Sequence, residues 1–376
     1  MRYIVCENMV ELYGTALVAV AVVAAAIISL RIKVSSSIIE VLAGVVLANA
    51  LGVGLAQWLD FLGTFGGLIL TFLAGAEVEF SLLKNNAKES VVIGFMAFLA
   101  PLVGVFLFLS LVAKWSFQAN IAASLALTTT SIAVVYAVLT EYELIKMPFA
   151  KTIIGVTFVN DILTLIGINL VQPAFDVVTV LFVATLSVMV LLIPRMLKAI
   201  VRNYGRRAVE LELRFILAAL LGIAFFADEA KLHAVFGAFM LGLIFANILQ
   251  QHQELLSKMR TVTFTLLAPA FFVRAGMLIS LPAVLGNLGL ILAMLGVKLG
   301  SKVIGTVMLC KRWIPEAPLF STMLFSTGLT VGTITASLGH DLGFLSDSQF
   351  SVVVVAVILS AVVPTLIAKR FVPTKL

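Results

Sequence analysis

Long apolar runs, most of them close to twenty residues, follow one another along the chain with short polar connections between them. Hydropathy and breaker residues predict thirteen spans, at residues 12–30, 36–52, 58–76, 89–113, 117–139, 149–171, 174–199, 211–227, 232–250, 262–281, 284–310, 317–338 and 348–368. A run of about 20 residues at 1.5 Å per residue matches a hydrocarbon core of roughly 30 Å. The runs are too continuous for the in-out alternation of barrel strands. The pattern therefore predicts an all-α polytopic membrane protein. Composition agrees: 62% of residues are hydrophobic and 12% are charged. Mean hydropathy is +1.17, and soluble domains hold only about 45–50% apolar residues.

Charge then orients the spans. If they alternate across the bilayer, nineteen of the 25 basic residues collect on one side, among them Arg31, Lys84, Lys151, Arg195, Arg214, Lys258, Arg260, Lys311 and Lys369. The other side holds Arg2, Lys114 and Lys231. The positive-inside rule then places the N-terminus outside and the C-terminus in the cytoplasm, in a plasma (inner) membrane protein. The pI near 9.4 does not indicate nucleic acid, because the basic residues sit in short loops rather than in a patch interleaved with aromatics. Two cysteines, Cys6 and Cys310, offer neither a metal spacing nor a disulfide framework. The N-terminal MRYIVCENMVELYG lacks a basic n-region and a small-residue cleavage site, so the first run is expected to be a retained helix. No connection is long enough for a soluble regulatory domain, which leaves a single membrane domain over 1–376.

The basic stretch from Arg195 to Arg214 follows the seventh span, with six spans before that span and six after it. This is the arrangement expected of two inverted repeats, 12–171 and 211–368, joined by a linker helix at 174–199. The fifth and twelfth spans then hold matching positions, and both have polar centres: SLALTTTSIAVV at Ser124–Val135 and FSTGLTVGTITASLG at Phe325–Gly339. Paired interruptions of this kind mark transport sites, since freed backbone groups and half-helix ends present partial charges. The plainer reading is that the hydroxyls bond back to their own helices.

The sixth span carries Asn160 and Asp161 near its middle. An ionised carboxylate in hydrocarbon costs roughly 2.5–3.5 kcal/mol on insertion scales, so it faces a partner or a water-filled cavity, and an ion or proton site is the default hypothesis. Arg274 falls in the tenth span, and Lys298 and Lys302 lie at i and i+4 in the eleventh. These buried cations also need partners. Asp228, Glu229 and His233 read as a solvated turn with Lys231, as do His340 and Asp341 beside Gly339.

Several separated segments resemble one family, the monovalent cation/proton antiporters, and most closely their second branch of sodium/proton and potassium/proton exchangers. FLAGAEVEF at Phe72–Phe80 resembles the end of the family's third span, LTTTSIAVV its crossing helix, and VNDILTL its aspartate-bearing helix. HAVFGAFMLGLIFAN at His233–Asn247 and APAFFVRAGMLI at Ala268–Ile279 are similar to two later family stretches. The likeness runs in the expected order from about residue 15 to 370.

The resemblance implies a homodimer, with a dimerisation domain and a core domain that moves like an elevator and holds two crossed, broken helices. It implies exchange of a monovalent cation, Na⁺ first and Li⁺ or K⁺ next, for H⁺, with Asp161 binding either. No cofactor is expected. Thr157, four residues before Asp161, shares its face, so an oxygen cage for the cation would combine Asp161 and Thr157 with Thr129, Thr130 and Ser131, and with Asn160 beside them. Asn160 stands where some members have a second acid, which implies electroneutral exchange; its amide is expected to orient helices by hydrogen bonding more than to ligate. Glu77 matches an acid near the cytoplasmic funnel. By the same likeness Arg274 compensates charge against Asp161 or a half-helix end, and Lys302 satisfies broken-helix carbonyls; for Lys298 and Lys302 alike a structural role is favoured over one in transport. The alternatives are a potassium/proton antiporter or a potassium efflux protein regulated by a separate subunit, and a carrier of an organic anion. An intramembrane aspartyl protease would require a second central aspartate, which the spans do not contain.

Overall fold

The computed structural model describes residues 2–32, 35–77, 87–144, 147–170, 192, 195–197, 210–229 and 234–373. Regular structure among these residues is helical throughout: α1 (Arg2–Ile32), α2 (Ser36–Asn49), α3 (Gln57–Ala76), α4 (Ala87–Phe108), α5 (Phe117–Thr128), α6 (Ile132–Glu141), α7 (Pro148–Leu170), α8 (Leu211–Glu229), α9 (Ala234–Gln251), α10 (Gln253–Val262), α11 (Ala268–Met277), α12 (Leu281–Gly286), α13 (Leu288–Trp313), α14 (Pro318–Phe325), α15 (Thr330–Asp341) and α16 (Asp347–Ala368). Seven helical segments among the described residues are long and apolar enough to cross a membrane. The expected linker helix at 174–199 falls almost wholly outside the described residues.

Elsewhere the helices follow the apolar runs, with two informative departures. The expected tenth span starts earlier, at Gln253, because the amphipathic α10 continues through a π turn at Thr263–Leu267 into α11. Its Leu255, Leu256 and Met259 are buried, and polar side chains occupy the rest of the turn. The fifth and twelfth spans are each split in two, as their polar centres predict: α5 and α6 flank 129–131, and α14 and α15 flank 326–329.

The chain groups into two compact units. One comprises Met1–Thr15, Leu55–Glu79 and Gln172–Arg274; the other comprises Ala16–Gly54, Phe80–Val171 and Ala275–Leu376. Each unit thus draws on both halves of the sequence, so the packing units are not the two halves 12–171 and 211–368.

In the first unit α3 packs along α9 through glycines. A Cβ on Gly75 would run into the Phe239 carbonyl, and one on Gly242 into the Phe72 carbonyl, so backbone meets backbone. Phe72 and Phe245 meet edge to face at 6.0 Å beside this contact. Lys258 of α10 bonds to Glu210 at 2.9 Å and Glu254 at 3.0 Å, which raises its pKa, chiefly through the hydrogen bond to Glu210.

In the second unit α4 lies between α13 and α7. Gly305 of α13 accommodates the Ala100 methyl, and Gly94 of α4 accommodates Val159 of α7. The outer faces are apolar: Leu292, Ile304 and Met308 of α13 are 61%, 80% and 78% exposed, as lipid-facing residues would be. The helices that carry the polar spans are enclosed instead. Within the unit, α7 packs against α4, α5, α6, α14 and α15.

Candidate functional site

The centre of the second unit is the crossing of the two broken helices. Helix α5 ends at Thr128, Thr129 is extended (φ −61°, ψ 153°), and α6 begins at Ile132. Helix α14 ends at Phe325, and α15 starts after Leu329, whose φ of −152° and ψ of −82° are not helical. A break in a membrane helix frees backbone groups that water cannot reach, so the two breaks satisfy each other. Ser131 N donates to Thr327 O at 3.1 Å, and Thr130 Oγ1 donates to Phe325 O at 2.8 Å. Gly332 permits the close approach: a Cβ there would sit 2.8 Å from both Ala126 O and Thr129 Oγ1.

Two fully buried lysines of α13 brace this crossing. Lys302 Nζ donates to Phe325 O at 2.7 Å and to Thr130 Oγ1 at 3.1 Å, placing its amine at the C-terminal end of α14. Lys298 Nζ donates to Ser360 Oγ of α16 at 2.7 Å, and Ser360 Oγ in turn reaches Gly328 O at 3.3 Å.

Helix α7 passes this crossing with Asp161 3% exposed and Asn160 and Thr157 fully buried. Asp161 Oδ1, Asn160 Oδ1 and Asn160 Nδ2 are enclosed, and none has a hydrogen-bond partner among the described residues. Buried polar groups left unmatched are costly and rare, about 1–3 kcal/mol each and more when charged. Three of them, one on a carboxylate, fall on two consecutive residues of α7. Thr157 Oγ1 donates to Ile153 O at 3.0 Å, which spends its proton and leaves its lone pairs as acceptors. Thr129 Oγ1 is in the same condition, donating to Ala126 O at 3.1 Å. Oxygen atoms of this kind suit a hard monovalent cation.

Three of the expected site residues sit as follows in this geometry. Thr130 Oγ1 donates to Phe325 O and accepts from Lys302 Nζ. Asn160 makes no hydrogen bond across the bundle, since main-chain and lysine bonds already tie the crossing. Arg274 belongs to the first unit, where its Nε donates to Asp60 Oδ1 at 2.7 Å. Ser131 contributes chiefly main chain; its Oγ receives Val134 N at 3.4 Å. Glu77 caps the end of α3 and accepts from Arg260 Nε at 2.8 Å within the first unit.

The Arg274–Asp60 pair is half solvated, with side-chain exposures of 9% and 50%. Asp60→Asn is therefore expected to cost only about 1 kcal/mol. The measurement is the thermal midpoint in detergent, which should fall by a few degrees.

Sequence reading passed over Thr128 and Thr164. Their hydroxyls meet at 2.9 Å, and Thr164 Oγ1 also donates to Asn160 O at 3.0 Å. Thr164 stands three residues after Asp161, a spacing that places it on nearly the same helix face.

Comparison with known proteins agrees with this architecture. The family model for the transmembrane sodium/hydrogen exchanger matches residues 18–373. The chain is 25% identical over 334 residues to "Probable Na(+)/H(+) antiporter 3" of Methanocaldococcus jannaschii, covering 84% of each. It is 25% identical over 379 residues to "Na(+)/H(+) antiporter" of Enterococcus hirae, covering 92% of this chain and 93% of that one. Against "Cation/H(+) antiporter 19" of Arabidopsis thaliana it is 27% identical over 330 residues but spans only 41% of the plant protein's length. The solved structure of the sodium proton antiporter MjNhaP1 from Methanocaldococcus jannaschii superposes with a TM-score of 0.70 over 96% of both chains at 14% identity, which shows a shared fold. The chain, an integral membrane protein and not an enzyme, belongs to the transmembrane sodium/hydrogen exchanger family, within the monovalent cation/proton antiporter superfamily.

Proposed function

We propose that this protein exchanges a monovalent cation, Na⁺ in preference to Li⁺ or K⁺, for H⁺, with Asp161 as the shared site. The observation that carries this reading is the enclosed Asp161 carboxylate, whose Oδ1 has no protein partner beside the equally unmatched Asn160 amide. A carboxylate so placed is stabilised either by a cation or by a proton, and holding one excludes the other. That competition couples the two fluxes if the unloaded anion does not cross. The names of the relatives from M. jannaschii and E. hirae support the same chemistry.

The cage consists of Asp161, the Asn160 amide oxygen, and the Thr157 and Thr129 hydroxyls, whose protons are already committed. Asn160 carries no titratable proton, which supports one-for-one, electroneutral exchange. Because the crossing, the lysines and Asp161 all lie in one compact unit, that unit moves as the core and carries the site across the membrane in an elevator-like step. The other unit then provides the interface of a homodimer. Glu77, already paired with Arg260, supports cation entry from the cytoplasmic side. The nineteen basic residues expected on one side support a cytoplasmic C-terminus, in a protein of the plasma membrane.

The test is proton movement reported by a pH-sensitive dye in proteoliposomes given Na⁺, Li⁺ or K⁺ pulses with the membrane potential clamped. Proton movement driven by Na⁺ and indifferent to voltage is expected. Silence with all three cations would overturn the antiport reading, and voltage-dependent rates would overturn its electroneutral part.

A further inference from the structure

Asp161 and Asn160 are the groups expected to touch the ion, yet no hydrogen bond to the protein holds Asp161 Oδ1 or either polar atom of the Asn160 side chain. Their positions are inherited from the backbone of α7. What positions that backbone therefore shapes the site.

Two glycine notches seat α7 among its neighbours. Val159 fits against Gly94 of α4, and Leu125 of α5 fits against Gly167, where a Cβ would stand 2.6 Å from Leu125 Cδ2. Such apolar contacts resist separation but have little directionality. The directional link lies between the Leu125 notch and the carboxylate. Thr164 Oγ1 donates to Asn160 O at 3.0 Å and meets Thr128 Oγ1 at 2.9 Å, and both residues are fully buried. Thr128 is the last residue of α5, and the next residue, Thr129, is already part of the break. A chain of two hydroxyls thus runs from the edge of the first break to the carbonyl of the residue before Asp161.

This pair differs from the ordinary buried threonine in a membrane helix. Thr71, Thr157 and Thr333 each return a hydroxyl bond to the carbonyl four residues back, the common local pattern, and Thr306 adds to its own such bond only a long 3.5 Å contact with the Thr322 hydroxyl. Thr164 does so as well, but its oxygen is also engaged by a hydroxyl from another helix. If Thr164 donates to Asn160 O, the proton shared between the two hydroxyls must come from Thr128, which otherwise donates to Leu125 O at 2.8 Å. The arrangement fixes α7 in register with the broken helix one turn from the site.

We infer that the Thr128–Thr164 hydroxyl pair is a specificity-determining positioning element, setting how closely Asp161 and Asn160 approach the crossing and hence which monovalent cation they bind best. This rests on the reading of Asp161 as the ion site. Neither threonine is assigned to contact the ion. The physical reason is size: a small cation needs its oxygens close together, so outward relaxation of α7 weakens Li⁺ or Na⁺ binding more than K⁺ binding. A neutral hydrogen bond is worth about 1 kcal/mol, or roughly fivefold in an equilibrium constant.

The experiment measures apparent KM and Vmax for Li⁺, Na⁺ and K⁺ in proteoliposomes of the parent and of Thr164→Val, Thr128→Val, the double variant and Thr164→Ser. Valine keeps the shape and removes the hydroxyl. The single valine variants should raise the KM of the smaller cations about fivefold, with a smaller change for K⁺ and Vmax within about twofold, as expected for loss of one hydrogen bond. The double variant should be no worse than either single one, because both remove the same bond. Thr164→Ser should restore the parent's cation ratio.

An unchanged cation ratio would overturn the inference, whether KM is unaltered or Vmax alone falls with the amount of folded protein. So would additive effects in the double variant. Should Thr164→Val fold poorly, the Thr128→Val and Thr164→Ser ratios still decide the matter, since they approach the bond from its other end and by its conservative replacement. Retained exchange in Asp161→Asn would instead remove the site reading itself, a result independent of the threonine ratios.

Discussion

Asp161→Asn is expected to reduce cation-driven proton movement to the leak of protein-free vesicles while leaving the protein folded, and no less stable to heat than the parent. The two halves of this expectation have one cause. Asparagine matches aspartate in shape, so packing around α7 is retained. It neither releases a proton in the working range nor neutralises a bound cation, so both substrates lose their common site. The variant also exchanges a buried carboxylate, whose Oδ1 has no hydrogen-bond partner, for a neutral group that is cheaper to bury. A functional group that costs stability is the usual trade at a site prepared for a ligand. Thermal unfolding in detergent checks this directly. Saturating Na⁺ should raise the midpoint of the parent, because the ion binds the folded state, and should leave the Asn variant unmoved. An Asn variant that unfolds several degrees lower would mean that Asp161 is a structural carboxylate.

Gly332→Ala is expected to destabilise the core unit and to abolish most transport, although glycine-to-alanine changes inside helices ordinarily stabilise. The usual gain is about 1 kcal/mol. At Gly332 the new Cβ would lie 2.8 Å from Ala126 O, 2.8 Å from Thr129 Oγ1 and 2.9 Å from Val357 Cγ1. A carbonyl of α5 cannot rotate away as a flexible side chain would, so α15 and α5 must separate where the breaks exchange hydrogen bonds. Overpacking costs typically 1–3 kcal/mol, and any lengthening of the bonds from Ser131 N and Thr130 Oγ1 adds to it. The steric term therefore outweighs the propensity gain. Gly300 of α13 provides the control, since a Cβ there meets nothing within 4 Å. Gly300→Ala should leave the midpoint unchanged or raise it, so the two variants move in opposite directions. Equal midpoints would show that the crossing is loose enough to accept a methyl group.

Linear pattern carried much of this protein. Apolar runs of bilayer length placed helices where they are found, because in lipid a backbone must satisfy itself within each segment. Two polar centres rich in hydroxyl or glycine residues, within Ser124–Val135 and Phe325–Gly339, marked the breaks for the same reason. Asp161 stood out because a carboxylate at membrane depth is expensive wherever it is placed. None of these inferences needs to know which helix lies beside which.

Partners were a different matter. Sequence suggested Thr130 for the ion, and Arg274 for Asp161 or a half-helix end; in the fold Thr130 bonds Lys302 and Phe325, and Arg274 bonds Asp60. It left Thr128 and Thr164 unremarked, although their contact joins α5 to α7 beside the site. Hydrogen bonds between residues as distant as Lys302 and Thr130, 172 apart in the chain, depend on helix register and rotation, which apolar periodicity hardly constrains in a helix that is hydrophobic on every face. The sequence by itself determined that there are membrane helices, where two of them break, and that one carries an acid. Only the tertiary structure decided which oxygens remain free around that acid, because a lone pair is free only after every neighbouring donor has been placed.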